Sequence, residues 1–281
     1  MKKFIVLAAA AVISVAASAT DLWTGSKHVS WSDGGLQIAA DKFADAQPGQ
    51  KIVVHFTAAS DGMEFKVMNE HFDHLAGSRE ALWISGDGVV EQFLTEAGVA
   101  GVKAHGLEII GANFTATQVE LLDGKELKPG ITVWTGFFWA DEWSTLELYR
   151  DGYCNEDFSN VTAIRFYSEA PGTEYVLNFL KGWGEGEKFA DQSGMTDGDG
   201  YKELAMTDAL RAQLPEAGHW MIQFNKEGLD PFNVTDIVLV TGTTAVESVE
   251  QSAVSTRKVI ENGQVVIIRE GVRYNALGAQ L

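Results

Sequence analysis

Hydrophobic and polar positions alternate through most of the chain. In Lys51 to Thr57, Ile52, Val54 and Phe56 are separated by Val53, His55 and flanking polar residues. A period of two predicts a strand with one buried face. Phe65 and Val67, Leu107 and Ile109, and Val119 and Leu121 repeat the pattern. So do Leu146 and Leu148, Ile164 and Phe166, and Tyr175, Leu177 and Phe179. Two helical turns interrupt it. Thr95 and Thr207 are candidate N-caps, with Glu96 or Asp208 in the first turn, and Leu210 and Leu214 share one face. Gly86-Asp87-Gly88 and Gly198-Asp199-Gly200 fall between strand patterns and predict tight hairpins, because Gly supplies positive φ and Asp tolerates it.

The pattern occurs twice. Leu22-Trp23-Thr24-Gly25 returns as Val133-Trp134-Thr135-Gly136, and Gly62-Met63-Glu64-Phe65 as Gly172-Thr173-Glu174-Tyr175. Val119-Glu120-Leu121 returns as Ile237-Val238-Leu239. A duplicated unit satisfies the same folding constraints twice, so shared positions report the scaffold and differing ones report what each copy is free to do. About eight short strands in each unit of roughly 105 residues suit a two-sheet sandwich. The expected fold is all-β: two tandem jelly-roll-type β-sandwich domains, 20–127 and 131–240, joined at Pro129-Gly130, plus a short C-terminal β-hairpin tail. Residues 241–256 are small, polar and aperiodic, and read as a flexible linker. The tail occupies 257–281, with Asn262-Gly263 as its hairpin signal.

Residues 1–19 carry a charged start, an apolar run from Phe4 to Val15, and Ala17-Ser18-Ala19, the three parts of a secretory signal peptide. The run is too short to span a bilayer, and no later stretch predicts a transmembrane segment. Secretion is therefore expected. The formal charge of −18 repels phosphate backbones and argues against nucleic acid as a partner. Cys154 is the single cysteine, so no internal disulfide supports either copy.

The motifs for catalysis are thin. There is no Gly-x-Ser-x-Gly elbow, no P-loop and no dinucleotide turn. No carboxylate pair stands out for glycoside hydrolysis. His71 and His74 form a short pair with no recognisable third ligand, so no metal site is assigned. Asp87 and Asp197 to Gly200 offer oxygens that a structural calcium would accept, but the full loop of a calcium-binding hand is missing. No cofactor is expected.

The aromatic residues carry more information. Trp23 and Trp134 recur at one scaffold position and read as packing. Trp183 lies in Lys181-Gly182-Trp183-Gly184-Glu185-Gly186-Glu187, with no apolar neighbour to cover it. Trp139 and Trp143 flank Asp141-Glu142 before the second strand of the second copy, and Trp31 stands near the same place in the first. Trp83 and Trp220 complete the set. A flat exposed ring presents its face to the C–H groups of a pyranose, while carboxylates and amides bond its hydroxyls; such contacts contribute roughly 0.5–1.5 kcal/mol each. The candidate contacts are Trp139, Trp143 and Trp183, with Glu174 and Asn178 as polar partners. Trp31, Phe72 and His71 are the candidates in the first copy.

The opening Leu22-Trp23-Thr24-Gly25, the strand Gln50 to Phe56, and Gly106 to Gly111 with Val119 to Leu121 resemble carbohydrate-binding-module-like β-sandwich domains of exported Bacteroidetes proteins. The ending Lys258 to Gly278, with Tyr274-Asn275-Ala276-Leu277-Gly278, is similar to the last part of type IX sorting domains, although shorter. The resemblance implies a protein that binds polysaccharide or oligosaccharide, and a tail that addresses export machinery for secretion or display at the outer-membrane surface; with catalytic motifs thin, the chain is expected to be non-catalytic. Two other classes are open to the sequence: a structural or adhesive surface protein whose aromatics are all core, and a polysaccharide-cleaving enzyme, which would need a cleft with two opposed carboxylates.

Overall fold

The computed structural model describes residues 19–69, 73–149, 158–169, 177–180, 188–190, 195–214, 219–224, 228, 230–242, 257–261, 264–269 and 272–275. The chain divides into two compact units, 1–241 and 242–281. Both are built mainly of antiparallel sheet.

In the first copy, β1 (Thr20–Val29), β2 (Leu36–Ile38), β3 (Lys51–Met68), β4 (Leu82–Phe93), β5 (Leu107–Gly111) and β6 (Phe114–Leu122) form one sheet. Its order is β1-β6-β3-β5-β2, with β4 also on β3. The sheet nearly closes on itself because β3 and β4 are long and bend. The first half of β3 pairs with β6, and its second half, from Phe65 to Met68, pairs with β5. Register shifts between Phe56 and Met63 produce the bend.

The second copy contains β7 (Ile131–Ala140), β8 (Thr145–Tyr149), β9 (Val161–Ser168), β10 (Leu177–Leu180), β11 (Lys188–Ala190), β12 (Met195–Gly198), β13 (Tyr201–Ala205), β14 (His219–Phe224) and β15 (Phe232–Thr241). They form two sheets, β12-β13-β9-β15-β7 and β11-β10-β14-β8. The pairings repeat those of the first copy. β7 and β8 stand where β1 and β2 stand, β9 and β10 divide the course of β3, and β14 and β15 answer to β5 and β6.

Each copy has its own apolar core. Ile52, Val54, Phe56, Leu107, Ile109, Val119 and Leu121 are buried in the first, as the alternation requires. Leu146, Leu148, Ile164, Phe166, Ile237 and Leu239 are buried in the second. Full burial of such a side chain contributes roughly 1.5–3 kcal/mol. Phe56, Phe65 and Phe114 meet at centroid distances of 5.3–6.5 Å in the first core. The repeated Trp-Thr-Gly packs as expected. Trp134 is buried and Trp23 packs against the first core. Each indole lies over the glycine two residues on: a Cβ at Gly25 would stand 2.7 Å from the Trp23 ring, and one at Gly136 would stand 2.9 Å from Trp134.

The two helices form where their caps were read. α1 (Glu96–His105) starts at Thr95, whose Oγ1 accepts from the Gly98 N–H at 3.0 Å. α2 (Asp208–Gln213) starts at Thr207, whose Oγ1 accepts from Leu210 N–H at 3.1 Å. Leu210 and Leu214 are both buried.

The Gly-Asp-Gly triplets part company. In the second copy Gly198 pairs with Tyr201 across Asp199-Gly200, and Gly200 has φ +77°, so the hairpin forms. In the first copy Gly86-Asp87-Gly88 does not turn the chain; it lies inside β4 opposite the bend of β3. There the Asp87 carboxylate accepts from Ala58 N–H, which fixes Ala58 at φ 60°. The tail also differs from a hairpin. β16 (Arg257–Glu261), β17 (Gln264–Arg269) and β18 (Val272–Asn275) form a three-stranded meander, because Val272 to Asn275 folds back on β17. Among the described residues no helix is long and apolar enough to cross a membrane.

Candidate functional site

The connection between β7 and β8 gathers the exposed aromatics of the second copy. Past the register shift in β7, Phe138 and Ala140 point into the core, and Phe137 and Trp139 point out. Trp139 is 58% exposed. Asn233 of β15 stands directly opposite it. The Asn233 side-chain amide donates to Glu169 Oε2 at 2.7 Å, and the Glu169 N–H returns a bond to the Asn233 carbonyl at 3.0 Å. An indole, an amide and a carboxylate thus stand along the rim of one sheet.

Trp143 closes the turn that follows and is 54% exposed. Ser144 N–H donates to the Asp141 carbonyl at 3.1 Å, and Asp141 N–H donates to Ser144 Oγ at 3.0 Å. This locks a four-residue turn whose third position requires positive φ, a place that Gly or Asn normally takes. Trp143 occupies it at φ +66°. Its indole N–H donates to Glu142 Oε1 at 2.8 Å, and Glu142 Oε2 accepts from Gly228 N–H at 3.4 Å. A bulky residue in the left-handed region is strained, and such strain concentrates at functional sites.

The equivalent connection of the first copy, between β1 and β2, carries Trp31 at 59% exposure. Here too a carboxylate is held beside the ring's segment. Asp33 accepts from Ser30 Oγ at 3.0 Å and donates its N–H to the same oxygen at 3.0 Å. His28 Nε2 lies 3.6 Å from Asp33. Both copies therefore place exposed tryptophan and fixed acid in one loop of the duplicated scaffold.

The other candidates fall differently. Trp183, Glu174, His71 and Phe72 lie outside the described residues. Asn178 is on β10 opposite Gln223, in the four-stranded sheet and not in the sheet of Trp139. Trp220 is wholly buried, its indole N–H bonded to the Leu214 carbonyl. Trp83 is 71% exposed on β4, opposite Glu64, which pairs with Lys66. Asp87 and Asp197 each commit a carboxylate oxygen to a protein donor, Ala58 N–H and Lys202 Nζ respectively. No group of three potential metal-ligating side chains occurs among the described residues.

Sequence reading missed Phe137, Asn233 and Glu169. Phe137 was open to discovery because it shares parity with Trp139 along one strand. Asn233 and Glu169 are distant in sequence and become neighbours of Trp139 only through the β7-β15-β9 pairing.

A second feature lies where the copies meet. Phe93 of β4 meets Phe137 edge-on at 5.9 Å. Lys125 Nζ sits 5.4 and 5.2 Å from the two rings, donates to the Thr235 carbonyl at 2.7 Å, and lies 3.2 Å from the buried Asp236. Burial lowers the Lys125 pKa, with Asp236 acting against it. Arg79 crosses from the first copy to stack on Phe138, 5.0 Å from its centroid. Burial likewise lowers the Arg79 pKa below its ordinary value, and the charge of Glu147 acts in the other direction. Arg79, Phe93 and Phe137 are among the residues that line a cavity of about 200 Å³ there.

No protein-family model matches the chain, and no curated protein matches it. Solved structures that match include the Bacteroides ovatus mixed-linkage glucan utilization locus SGBP-B in complex with a mixed-linkage heptasaccharide, at 18% identity and a TM-score of 0.33. That alignment covers 37% of this chain and only 28% of the other. A putative secreted protein of Parabacteroides distasonis aligns over 80% of this chain and 86% of its own, at 9% identity and a TM-score of 0.19. The Macrobrachium rosenbergii nodavirus structure aligns over 86% of this chain and 96% of its own, at 9% identity and a TM-score of 0.18.

Proposed function

We propose that this chain is an exported, non-catalytic carbohydrate-binding protein that holds polysaccharide on the exposed tryptophans of its β1–β2 and β7–β8 loops. The observation that carries the reading is the repetition of one arrangement. In both copies an exposed indole stands beside a fixed carboxylate in the same connection, and in the second copy it is held there at positive φ. Single exposed apolar side chains are ordinary, but Phe137, Trp139 and Trp143 lie within one short segment. Trp183, Glu174, Asn178, Phe72 and His71 remain part of the proposed contact set. Two modest sites on one chain reinforce each other through effective concentration.

In this reading residues 1–19 direct export, 20–127 and 131–240 are the two sandwiches, 241–256 is a tether, and 257–281 addresses the export machinery or the cell surface. The strand order supports a jelly roll in each copy. With the bent β3 and β4 each counted as two strands, the first copy has eight strands, the number of a jelly roll. The second copy repeats this order with its strands broken and one more, β12, added beyond β13.

The test is affinity electrophoresis of the mature protein over a panel of soluble plant and host polysaccharides. Trp139→Ala combined with Trp143→Ala weakens retention about ten-fold or more, from two aromatic contacts of about 0.5–1.5 kcal/mol each. Adding Trp31→Ala weakens it further, while the thermal unfolding midpoint stays nearly constant because all three rings are exposed. Retention unchanged in the triple variant overturns the reading.

A further inference from the structure

The cavity between the two copies draws its lining from both. Arg79, Glu91, Gln92 and Phe93 come from the first copy, and Trp134 and Phe137 from the second. Two properties separate it from an ordinary seam. Its walls combine three aromatic side chains, Phe93, Trp134 and Phe137, with the polar Arg79, Glu91 and Gln92, which suits a ring with apolar faces and a hydroxylated edge. Its charge is also uneven. Glu91 is tied to Lys51 in an ion pair, so its negative charge is compensated. Arg79 lies on Phe138, and its Nε has no hydrogen-bond partner among the described residues. Glu147 acts on it only through space. A largely buried guanidinium without a bonded acid favours the arrival of an anion, and its fork geometry matches a carboxylate. Lys125, next to Phe93 and Phe137 but outside the lining, is compensated in the same way by Asp236, so Arg79 is the cation left to the cavity. At about 200 Å³ the cavity is below the roughly 300–1,000 Å³ typical of drug-sized ligands, so it takes one ring and not a chain.

We infer that this cleft is a second binding site, for a single hexuronic acid unit, whose carboxylate pairs with Arg79 and whose ring lies among Phe93, Trp134 and Phe137. The site goes beyond the tryptophan loops and does not depend on them. It would let the protein select glycans that carry, or end in, an acidic sugar.

Titration calorimetry of the mature protein with glucuronate, galacturonate, the neutral methyl ester of glucuronate, and glucose tests this. The expected result is binding of at least one uronate ten-fold or more tighter than the ester or glucose, with the preference shrinking at high salt. Arg79→Met removes the preference. Trp139→Ala with Trp143→Ala retains it even where polysaccharide retention is lost, so failure of one site is distinguishable from failure of the other. If Arg79→Met does not fold, Phe137→Ala, at an exposed ring, serves in its place and weakens uronate binding about five-fold. Equal affinity for uronate and ester, no binding of any uronate, or full uronate preference in Arg79→Met overturns the inference.

Discussion

Trp143 stands at φ +66°, where a side chain with Cβ costs roughly 1–2 kcal/mol per residue. Glycine removes that cost and gives back part of it as chain entropy, about 0.5–1 kcal/mol. Trp143→Gly is therefore expected to stabilise the protein by about 0.5–1 kcal/mol in urea unfolding while weakening polysaccharide retention. A substitution that is both more stable and less able to bind identifies strain kept for function. Destabilisation would show that the turn tolerates the indole without strain. At this scale the sequence was only partly legible. Trp220 and Trp83 are the same residue type in similar apolar surroundings, yet one is sealed in a core and the other is 71% exposed. The difference comes from which sheet face each strand offers, and that is decided by pairing with strands distant in sequence, which the local pattern does not reveal.

At the level of the element, the caps were readable because their chemistry is local. Thr95 and Thr207 each accept one orphan N–H of the first helical turn. Their environments set different magnitudes: Thr95 is fully buried, and Thr207 is exposed. Thr95→Ala is expected to cost about 1–2 kcal/mol and Thr207→Ala about 0.5–1 kcal/mol, measured as shifts in urea midpoint at constant slope. Equal effects would mean that burial of the cap is irrelevant. Strand existence was legible from period two, and Ile52, Val54 and Phe56 are buried as that period demands. Strand length was not. β3 continues past its bend because Ala58 and Gly62 take positive φ and Asp87 satisfies the freed N–H of Ala58, so one strand pairs with β6 before the bend and with β5 after it, where two strands were expected. The second copy, with the same Gly-Asp-Gly, turns a hairpin instead.

Across residues 1–241, Lys125 joins the copies. Its N–H donates to the Gly49 carbonyl in the first copy, and its side chain reaches Gly136, Thr235 and Asp236 in the second. Removing the cation leaves Asp236 buried, with Thr135 Oγ1 still donating to it at 2.7 Å. Lys125→Ala is expected to destabilise the protein by about 3 kcal/mol, the low end of the range for breaking a buried pair, because the lysine retains some contact with water. Tryptophan fluorescence during urea unfolding reads this as a lower midpoint. Lys125→Ala with the wild-type midpoint would show that the pair contributes nothing to the seam. The sequence marked Pro129-Gly130 as the join between the copies. It gave no sign that Lys125, Arg79 and two phenylalanines would build a cavity there.

Ala76 belongs by chain position to the first copy but packs within the apolar core of the second, and Ala97 from α1 leans on the same core. Gene duplication delivers cassettes that begin as interchangeable modules. Once one module lends a side chain to its sibling's interior, the pair becomes a single inheritance: the second module excised alone would leave a patch of its hydrocarbon facing water, and shuffling it into another protein would carry that wound along.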